Sequence, residues 1–202
     1  MMIFFHRVFL LPLCLALFVS SPISADECRK IVAAGHPDWQ PVSFLDEKQK
    51  TMIGVSYELL EDYARQLSLP IEIRPKTPWK RVMRELEKGD IDIVTEAFFS
   101  DERASFADFS DSYMEFSLVA VVGKNRDFTI KSLDDLIPLS GVATLGDYYG
   151  AAFENYAKEK KLNINRGSML DLSTFEMLVL NRVDYTILSD VNFLLKSARH
   201  GY

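Results

Sequence analysis

The chain has 202 residues, of which 23 are Lys or Arg and 29 are Asp or Glu, so its formal net charge is −6 at pH 7. An acidic surface repels nucleic acid and anionic membranes, so we expect neither as a partner. The length is enough for one domain or for two small lobes.

Residues 1–25 have the pattern of a secretory signal peptide. Arg7 supplies a positive charge, residues 8–19 are apolar apart from Pro12, and small residues precede a cut after Ala25. The apolar run is shorter than the roughly 20 residues that span a bilayer, so a membrane anchor is only the alternative. We therefore predict an exported chain with no stable membrane insertion after cleavage. It keeps one cysteine, Cys28, as a buried or free thiol or as a thiol paired outside this chain.

Hydrophobic periodicity predicts alternating strands and helices in the first half of the chain. The predicted elements are a strand at 31–34, an extended segment at 39–44, a helix at 55–67, a strand at 71–73, a helix that Pro78 opens and Gly89 ends, and a strand at 91–94. Strands that alternate with helices in this way indicate a parallel sheet with covering helices.

The second half repeats a similar order. The predicted elements are a strand at 117–122, a short helix at 132–136, a strand at 142–144, a helix at 148–161, a brief strand at Ile164, a helix at 174–180 and a strand at 183–188. Residues 85–94 and 177–188 share one pattern of helix, tight turn, Asp and buried strand. This echo suggests that the two halves are built alike.

Residues 89–113 contain the most informative pattern of the chain. They read as a buried strand that ends in a loop, with Ser100 able to cap a short helix and Arg103 in its first turn. Ligands of α/β proteins bind at the carboxyl ends of parallel strands, and a guanidinium beside free helix N–H groups can hold a carboxylate. The sequence therefore predicts an anion site here.

With its motifs in this order, the chain resembles the bacterial extracellular solute-binding proteins, family 3, of the polar amino-acid-binding type. The resemblance runs from about Ile31 to about Asn192. Its motifs are Gly35 to Pro41, Gly54 with the helix after it, Trp79-Lys80-Arg81, Gly89 to Asp92, Ser100 to Arg103, Phe109 to Tyr113, Ser132 to Leu136, Asn181 to Asp184, and Ser189-Asp190.

The resemblance implies a two-lobed periplasmic-binding-protein type II fold of the α/β class. Each lobe is expected to be a mostly parallel sheet flanked by helices, with lobe 1 at residues 26–116 and lobe 2 at residues 117–202. Relatives continue with a strand beside residues 117–122 and helices that return to the first lobe. The C-terminal part is therefore expected to be truncated here, with the return segment absent.

The resemblance also implies roles for individual residues. Arg103 clamps the ligand carboxylate, Asp190 receives its ammonium, and Trp39 and Trp79 sandwich the ligand. Ser100 belongs to the same anion site, and Asp147 and Tyr148 stand at a second-lobe helix start that contacts the carboxylate. The alternatives are an exposed Arg103 paired with Glu102 or Asp101, Asp190 as a helix cap, the two tryptophans as core residues, and Asp147 and Tyr148 as an ordinary helix start.

Three residues depart from the pattern of the family. Glu96 and Phe98 stand where amino-acid binders tend to have small or hydroxylic residues, and Asp147 stands where a hydroxyl is frequent. Glu96 would repel a carboxylate, Phe98 would narrow the pocket, and a negative helix cap uses the N–H groups that an anion needs. These departures favour a ligand that is more cationic, or less carboxylate-like, than an ordinary amino acid.

The implied function is capture of a small polar or zwitterionic solute in the periplasm for uptake by an inner-membrane ABC permease. We expect a monomer without cofactor, metal or catalytic residues. His36 is read as a turn residue, and no metal cluster or histidine-based triad is predicted. Two alternatives stay open. One is a sensory or orphan binding module, and the other is a prephenate or arogenate dehydratase-like enzyme with Glu96 as general acid if burial raises its pKa.

Overall fold

The computed structural model describes residues 30–124, 126–167 and 173–201. The predicted signal peptide and Cys28 lie outside these residues. We call residues 30–116 the first lobe and the described residues from 117 to 201 the second lobe, following the predicted division. No helix of the described residues is long and apolar enough to cross a membrane.

The first lobe contains two small sheets. Its elements are β1 (Ile31–Ala34), β2 (Asp38–Trp39), β3 (Ser43–Asp46), β4 (Thr51–Ile53), α1 (Val55–Leu67), β5 (Ile71–Ile73), α2 (Trp79–Lys88), β6 (Ile93–Val94) and α3 (Asp101–Ala104). One sheet is parallel with the order β5-β1-β6, in which Ile31 pairs with Ile71 and Ala33 with Ile93. The other is antiparallel with the order β2-β3-β4.

The second lobe is built on a single four-stranded sheet. Its elements are β7 (Leu118–Val122), a 3-10 helix (Leu133–Leu136), β8 (Ser140–Thr144), α4 (Ala151–Lys160), β9 (Asn163–Gly167), α5 (Thr174–Val179), β10 (Tyr185–Ser189) and α6 (Asp190–His200). The strand order is β7-β10-β8-β9, with β7 antiparallel to β10 and the other pairs parallel. This mixed sheet agrees with the predicted mostly parallel lobe.

Both lobes bury an apolar core between sheet and helices. In the first lobe, Trp79 and Val82 of α2 pack against Ala34 of β1 and against Ile91. In the second lobe, apolar residues fill both sides of β10 in two clusters, one around Phe175 and one around Tyr185. Since burying apolar surface is the main favourable term of folding, these clusters hold the strand ends that build the site.

The acids of the repeated pattern, Asp92 in residues 85–94 and Asp184 in residues 177–188, have the same structural role. In the first lobe, the Asp92 carboxylate accepts a hydrogen bond from the backbone N–H of Val32 at 2.8 Å. In the second lobe, the Asp184 carboxylate accepts from the backbone N–H and the hydroxyl of Ser140, at 2.9 and 2.7 Å. These hydrogen bonds lower the pKa of Asp184. Each acid therefore ties the turn before its strand to the neighbouring strand.

One predicted boundary that bears on the site moves. Helix α4 begins at Ala151 rather than at Tyr148, because Gly150 precedes it at φ +86. Asp147 and Tyr148 therefore lie in the loop that follows β8 and not at a helix start. Helix α1 keeps its predicted bounds. The residues that it buries include Tyr57, Leu60 and Ala64.

Candidate functional site

A cavity of about 60 Å³ lies between the two lobes. Both lobes contribute to its wall. The first lobe supplies His36, Asp38, Trp39, Trp79, Ala97, Phe98 and Arg103, and the second supplies Leu118, Thr144, Asp147, Tyr148, Tyr149, Thr174, Ile187, Leu188, Ser189 and Asn192.

The parallel strands explain why these residues meet. His36 and Asp38 follow β1, residues 97–103 follow β6, residues 147–149 follow β8, and Ser189 ends β10. The carboxyl ends of parallel strands form one edge of a sheet, and ligands of open α/β sheets bind there. The facing lobes thus bring two such edges together around the cavity.

Arg103 is the buried cation of this cavity. The Ser100 hydroxyl accepts a hydrogen bond from the Arg103 backbone N–H at 3.2 Å, which caps α3. The guanidinium donates from Nη1 to the Phe98 carbonyl at 2.7 Å and from Nη2 to the Gly146 carbonyl of the second lobe at 2.9 Å. Its Cζ lies 5.7 Å from the ring centre of Trp79.

Arg103 has no acidic partner in the described part of the chain. Its side chain is buried and belongs to none of the ion pairs there. The alternative of an exposed arginine paired with Glu102 or Asp101 is therefore wrong. Burial lowers the pKa of Arg103, whereas the charge of Asp147 opposes that shift. A guanidinium nevertheless stays charged in proteins, so this is a positive charge with N–H donors to spare.

Aromatic rings form the apolar part of the wall. The ring of Trp39 lies 5.0 Å from that of Phe98 and 5.4 Å from that of Phe116. Trp39 Nε1 donates to the Ser189 hydroxyl across the cleft at 3.2 Å. Trp79 packs in the first-lobe core and also donates from Nε1 to the Gly146 carbonyl at 3.1 Å. Both tryptophans thus line the cavity and join the lobes.

His36 faces the second lobe across the cavity, so its reading as a plain turn residue is incomplete. Its Nε2 lies 3.3 Å from an Asp147 carboxylate oxygen, and its Nδ1 accepts from the backbone N–H of Asp38 at 3.1 Å. Burial opposes the charged imidazole, but the carboxylates of Asp147, Asp38 and Glu96 outweigh it and raise the pKa of His36. The other Asp147 oxygen accepts from the Tyr149 hydroxyl at 3.1 Å.

The second acid of the wall is also paired. Lys196 of α6 places Nζ 2.5 Å from an Asp38 carboxylate oxygen, which joins the second lobe to the first. Lys196 is buried, whereas the Asp38 side chain is 31% exposed. Beside this pair, Asn192 donates from Nδ2 to the Gln40 carbonyl at 3.0 Å. Its Oδ1 is buried and finds no partner within the described residues.

Glu96 does not lie in the wall of this cavity. It is buried in the first lobe, where it accepts from the backbone N–H of His36 and from the hydroxyls of Ser56 and Thr95. Burial raises its pKa. Glu96 therefore does not offer its carboxylate to this cavity, and its repulsion of a ligand carboxylate stays a prediction.

Two further predicted residues also lie outside the wall. Ser100 caps α3 with its hydroxyl and acts on the site only through Arg103. Asp190 is the first residue of α6, and its carboxylate accepts from the backbone N–H of Val191 at 2.8 Å. The cap of α6 is Ser189, so Asp190 is neither the cap nor a cavity residue. Of the predicted site residues, the structure brings Arg103, Trp39, Trp79, Phe98, Asp147 and Tyr148 together.

Seven polar residues of the wall were not predicted as site residues: His36, Asp38, Thr144, Tyr149, Thr174, Ser189 and Asn192. One signal was available, since His36 and Asp38 follow β1 at the same sheet edge as Arg103. Among the described residues, no group of three or more His, Cys, Asp and Glu side chains is placed to hold a metal ion.

The sequence of residues 31–200 matches the bacterial extracellular solute-binding proteins, family 3, and the chain belongs to this family. The predicted resemblance is thus confirmed. Among curated relatives, the L-cystine-binding protein TcyJ of Escherichia coli K12 is 32% identical over 99 residues, which are 48% of this chain and 36% of the relative. The chain therefore matches little more than a third of that relative's length.

Solved structures confirm the two-lobed α/β fold. An ancestral arginine-binding protein bound to arginine has a TM-score of 0.75 at 25% identity, with 86% of this chain and 75% of that chain covered. The ancestral amino acid-binding protein AncCDT-1, a precursor of cyclohexadienyl dehydratase, has a TM-score of 0.68 at 28% identity, with 84% and 75% covered.

Proposed function

We propose that the protein captures a small amino-acid-like solute between its lobes and that the ligand carboxylate binds Arg103. The observation that carries this proposal is the buried guanidinium of Arg103, which faces the cavity without an acidic partner. An uncompensated buried charge is unfavourable by several kcal/mol, and a bound carboxylate would remove that penalty. Both terminal nitrogens of Arg103 have a second N–H to offer.

The neighbourhood of Arg103 supports the same assignment. Its two protein hydrogen bonds end on carbonyls of different lobes, Phe98 and Gly146. A carboxylate on the remaining N–H groups would bind only where the lobes are together, so it would favour the closed arrangement. The relatives described above are named for binding amino acids, which agrees with a carboxylate ligand.

The family and the signal-like first 25 residues support a proposal for location and delivery. We propose a periplasmic protein that acts as a monomer and delivers its solute to an inner-membrane ABC permease. In the alternative of a sensory module, the protein binds the same solute, but a signalling partner rather than a permease recognises the closed state. A dehydratase would need Glu96 in the cavity as general acid, and Glu96 points into the first lobe instead. We therefore propose binding without catalysis.

The test is a ligand screen on wild type and on Arg103 variants. Amino acids at about 100 times Kd should stabilise wild type by about 2.7 kcal/mol and raise its melting temperature. Arg103→Ala should lose this shift, and Arg103→Lys should recover little of it, because an ammonium cannot reproduce the fork of donors. The matched control is Arg65→Ala, since Arg65 is exposed and pairs with Asp62 on α1.

Isothermal titration of the same variants separates binding from stability. A shift that survives in Arg103→Ala would refute the clamp. A well-folded wild type that responds to no amino acid would refute the proposed function.

A further inference from the structure

Among the described residues, the wall of the cavity contains two acids, Asp38 of the first lobe and Asp147 of the second. Both side chains are accessible, 31% and 22% exposed. They differ in their partners. Asp38 is paired with the ammonium of Lys196. Asp147 faces His36, which is a cation only when it is protonated, and it belongs to no other ion pair of the described residues. Asp147 is thus the wall acid without a permanent cation.

The Asp147 carboxylate has room for further hydrogen bonds. One of its oxygens lies 3.3 Å from His36 Nε2, and the other accepts from the Tyr149 hydroxyl at 3.1 Å. An ionised carboxylate offers about four lone-pair sites, so these two contacts do not saturate it. An ammonium in the cavity can therefore bind Asp147 without displacing either neighbour.

The backbone around Asp147 is held on both sides. Its N–H donates to the Thr144 carbonyl at 3.1 Å, and its carbonyl accepts from Arg166 Nη1 at 2.9 Å. One residue earlier, the Gly146 carbonyl accepts from Arg103 Nη2 at 2.9 Å. These hydrogen bonds use backbone atoms of the turn, so a substitution of the Asp147 side chain leaves all three in place.

Asp147 also lies beside Arg103. The ammonium and the carboxylate of an α-amino acid are bonded to the same carbon, so their two partners must be neighbours in the site. Arg103 contacts the residue before Asp147, and among the charges that oppose the lowering of the Arg103 pKa by burial, that of Asp147 acts most strongly. The two side chains nevertheless form no ion pair with each other, so a ligand can bridge them.

We propose that Asp147 receives the ammonium of the ligand, so that the zwitterion bridges Arg103 of the first lobe and Asp147 of the second. The inference rests on the proposed function, in which Arg103 holds the carboxylate, and it names the partner of the other charge. Asp190, to which the resemblance gave this role, does not line the cavity, and its carboxylate accepts from the Val191 N–H instead.

The experiment compares each amino acid with the 2-hydroxy acid of the same side chain by isothermal titration. The two molecules share the carboxylate and the side chain, but the hydroxy acid has no ammonium. The probes are the standard primary amino acids and, for every one that binds wild type, its hydroxy acid. The measured quantity is the ratio of the two Kd values, since a general change of the site moves both values alike.

Asp147→Asn keeps the shape of the side chain and removes its charge. A hydrogen bond to a charged group changes Kd by about tenfold to a hundredfold, so wild type should bind the amino acid about tenfold more tightly or better. Asp147→Asn should lose this preference. The amino acid should bind more weakly, and the hydroxy acid should bind as before or more tightly, because the variant no longer repels an anion. Should Asp147→Asn fail to fold, Asp147→Ser removes the same charge and should change the ratio in the same direction.

Glu102→Gln is the matched control. The charge of Glu102 also acts on Arg103, but Glu102 is exposed and lies outside the cavity wall. This variant should keep the ratio of wild type. Asp38→Asn removes the other acid of the wall and leaves Lys196 without its partner, so it should weaken binding of both ligands alike and also keep the ratio.

The outcomes separate the two proposals. A ratio that is kept in Asp147→Asn but lost in Asp38→Asn or in Asp190→Asn assigns the ammonium to another acid. That result overturns the inference and leaves solute binding intact. Wild type that binds the hydroxy acids as tightly as the amino acids overturns it in the same way. Wild type that binds no amino acid at all overturns the proposed function, and the role of Asp147 with it.

Discussion

The second lobe meets the first at the Gly146–Asp147 turn and at helix α6, and the hydrogen bonds at the two places differ in direction. At the turn the second lobe accepts hydrogen bonds, since Trp79 and Arg103 both donate to the Gly146 carbonyl, and His36 faces Asp147. At α6 it donates from Asn192 and Lys196, and among the described residues only the Ser189 cap accepts, from Trp39.

The two contacts therefore depend differently on the ligand. The turn relies on a backbone carbonyl and shares Arg103 with the proposed ligand, so its contacts depend on what occupies the cavity. Helix α6 relies on side chains, and Lys196 does not line the cavity. The change of Lys196 should therefore weaken contact between the lobes without removing a residue of the cavity wall, whereas changes at the turn should affect both.

Among changes at the two contacts between the lobes, Lys196→Met is expected to lower the free energy of unfolding most. It leaves Asp38 without its cation, and breaking a fully buried pair is unfavourable by about 3–5 kcal/mol. Because the Asp38 side chain is 31% exposed, we expect a smaller loss, about 2 kcal/mol of the free energy of unfolding measured in urea. Lys160→Met is the control, since Lys160 and its partner Glu159 are both exposed and such surface pairs contribute little to stability. Equal losses in the two variants would contradict the role of α6.

The turn is tested by Gly146→Ala against Gly89→Ala. Both glycines have positive φ, +94 and +77, so alanine is strained at either by about 1 kcal/mol. A Cβ at Gly146 would also lie 3.1 Å from the Cα of Lys80 in the first lobe, whereas one at Gly89 meets nothing within 4 Å. We expect Gly146→Ala to lose about 1 kcal/mol more and to show a larger radius of gyration in X-ray scattering. Identical behaviour of the two variants would show that the turn does not hold the lobes.

Local patterns in the sequence predicted the parts of the fold that local physics decides. Helix α1 was predicted at its observed bounds from spacing alone, and the Ser100 cap placed Arg103 correctly because capping acts within one turn. The pattern shared by Asp92 and Asp184 also pointed to like junctions in both lobes.

Contacts between distant residues could not be read in this way. Glu96 turns inward because its donors, the His36 backbone and the Ser56 hydroxyl, are about 60 and 40 residues away. Lys196 and Asp38 are 158 residues apart. Periodicity reports which face of an element is apolar, but not which polar group a loop carboxylate meets. The sheet edge was therefore predictable, and the pairing of its charges was not.

A smaller effect is expected from Trp79→Phe, which keeps an aromatic ring in the core, though a smaller one, and removes one donor from the turn. Because the Gly146 carbonyl still accepts from Arg103, it is not left unsatisfied, and the loss should be about 1 kcal/mol in the free energy of unfolding. The double variant Trp79→Phe with Gly146→Ala should lose less than the sum of both, since the two changes disturb the same contact. Strict additivity would show that the two sites act independently.

The smallest effect at neutral pH, and the most specific one, is expected from Glu96→Gln. Burial raises the pKa of Glu96 above its ordinary value of 4.5, so the folded protein holds this proton more tightly than the unfolded chain. The resulting stability is complete below pH 4.5 and is lost as the pH rises through the raised pKa.

Glu96→Gln does not titrate, so its stability relative to wild type should improve as the pH rises through that window. Chemical unfolding at a series of pH values measures the difference, with exposed Glu87→Gln as control. The amide oxygen can still accept from the His36 backbone N–H, which keeps the His36 ring directed at Asp147. If the pH profiles of wild type and Glu96→Gln run parallel, Glu96 is ionised in the folded protein. The carboxylate that positions His36 would then act on the Gly146–Asp147 turn as a permanent negative charge.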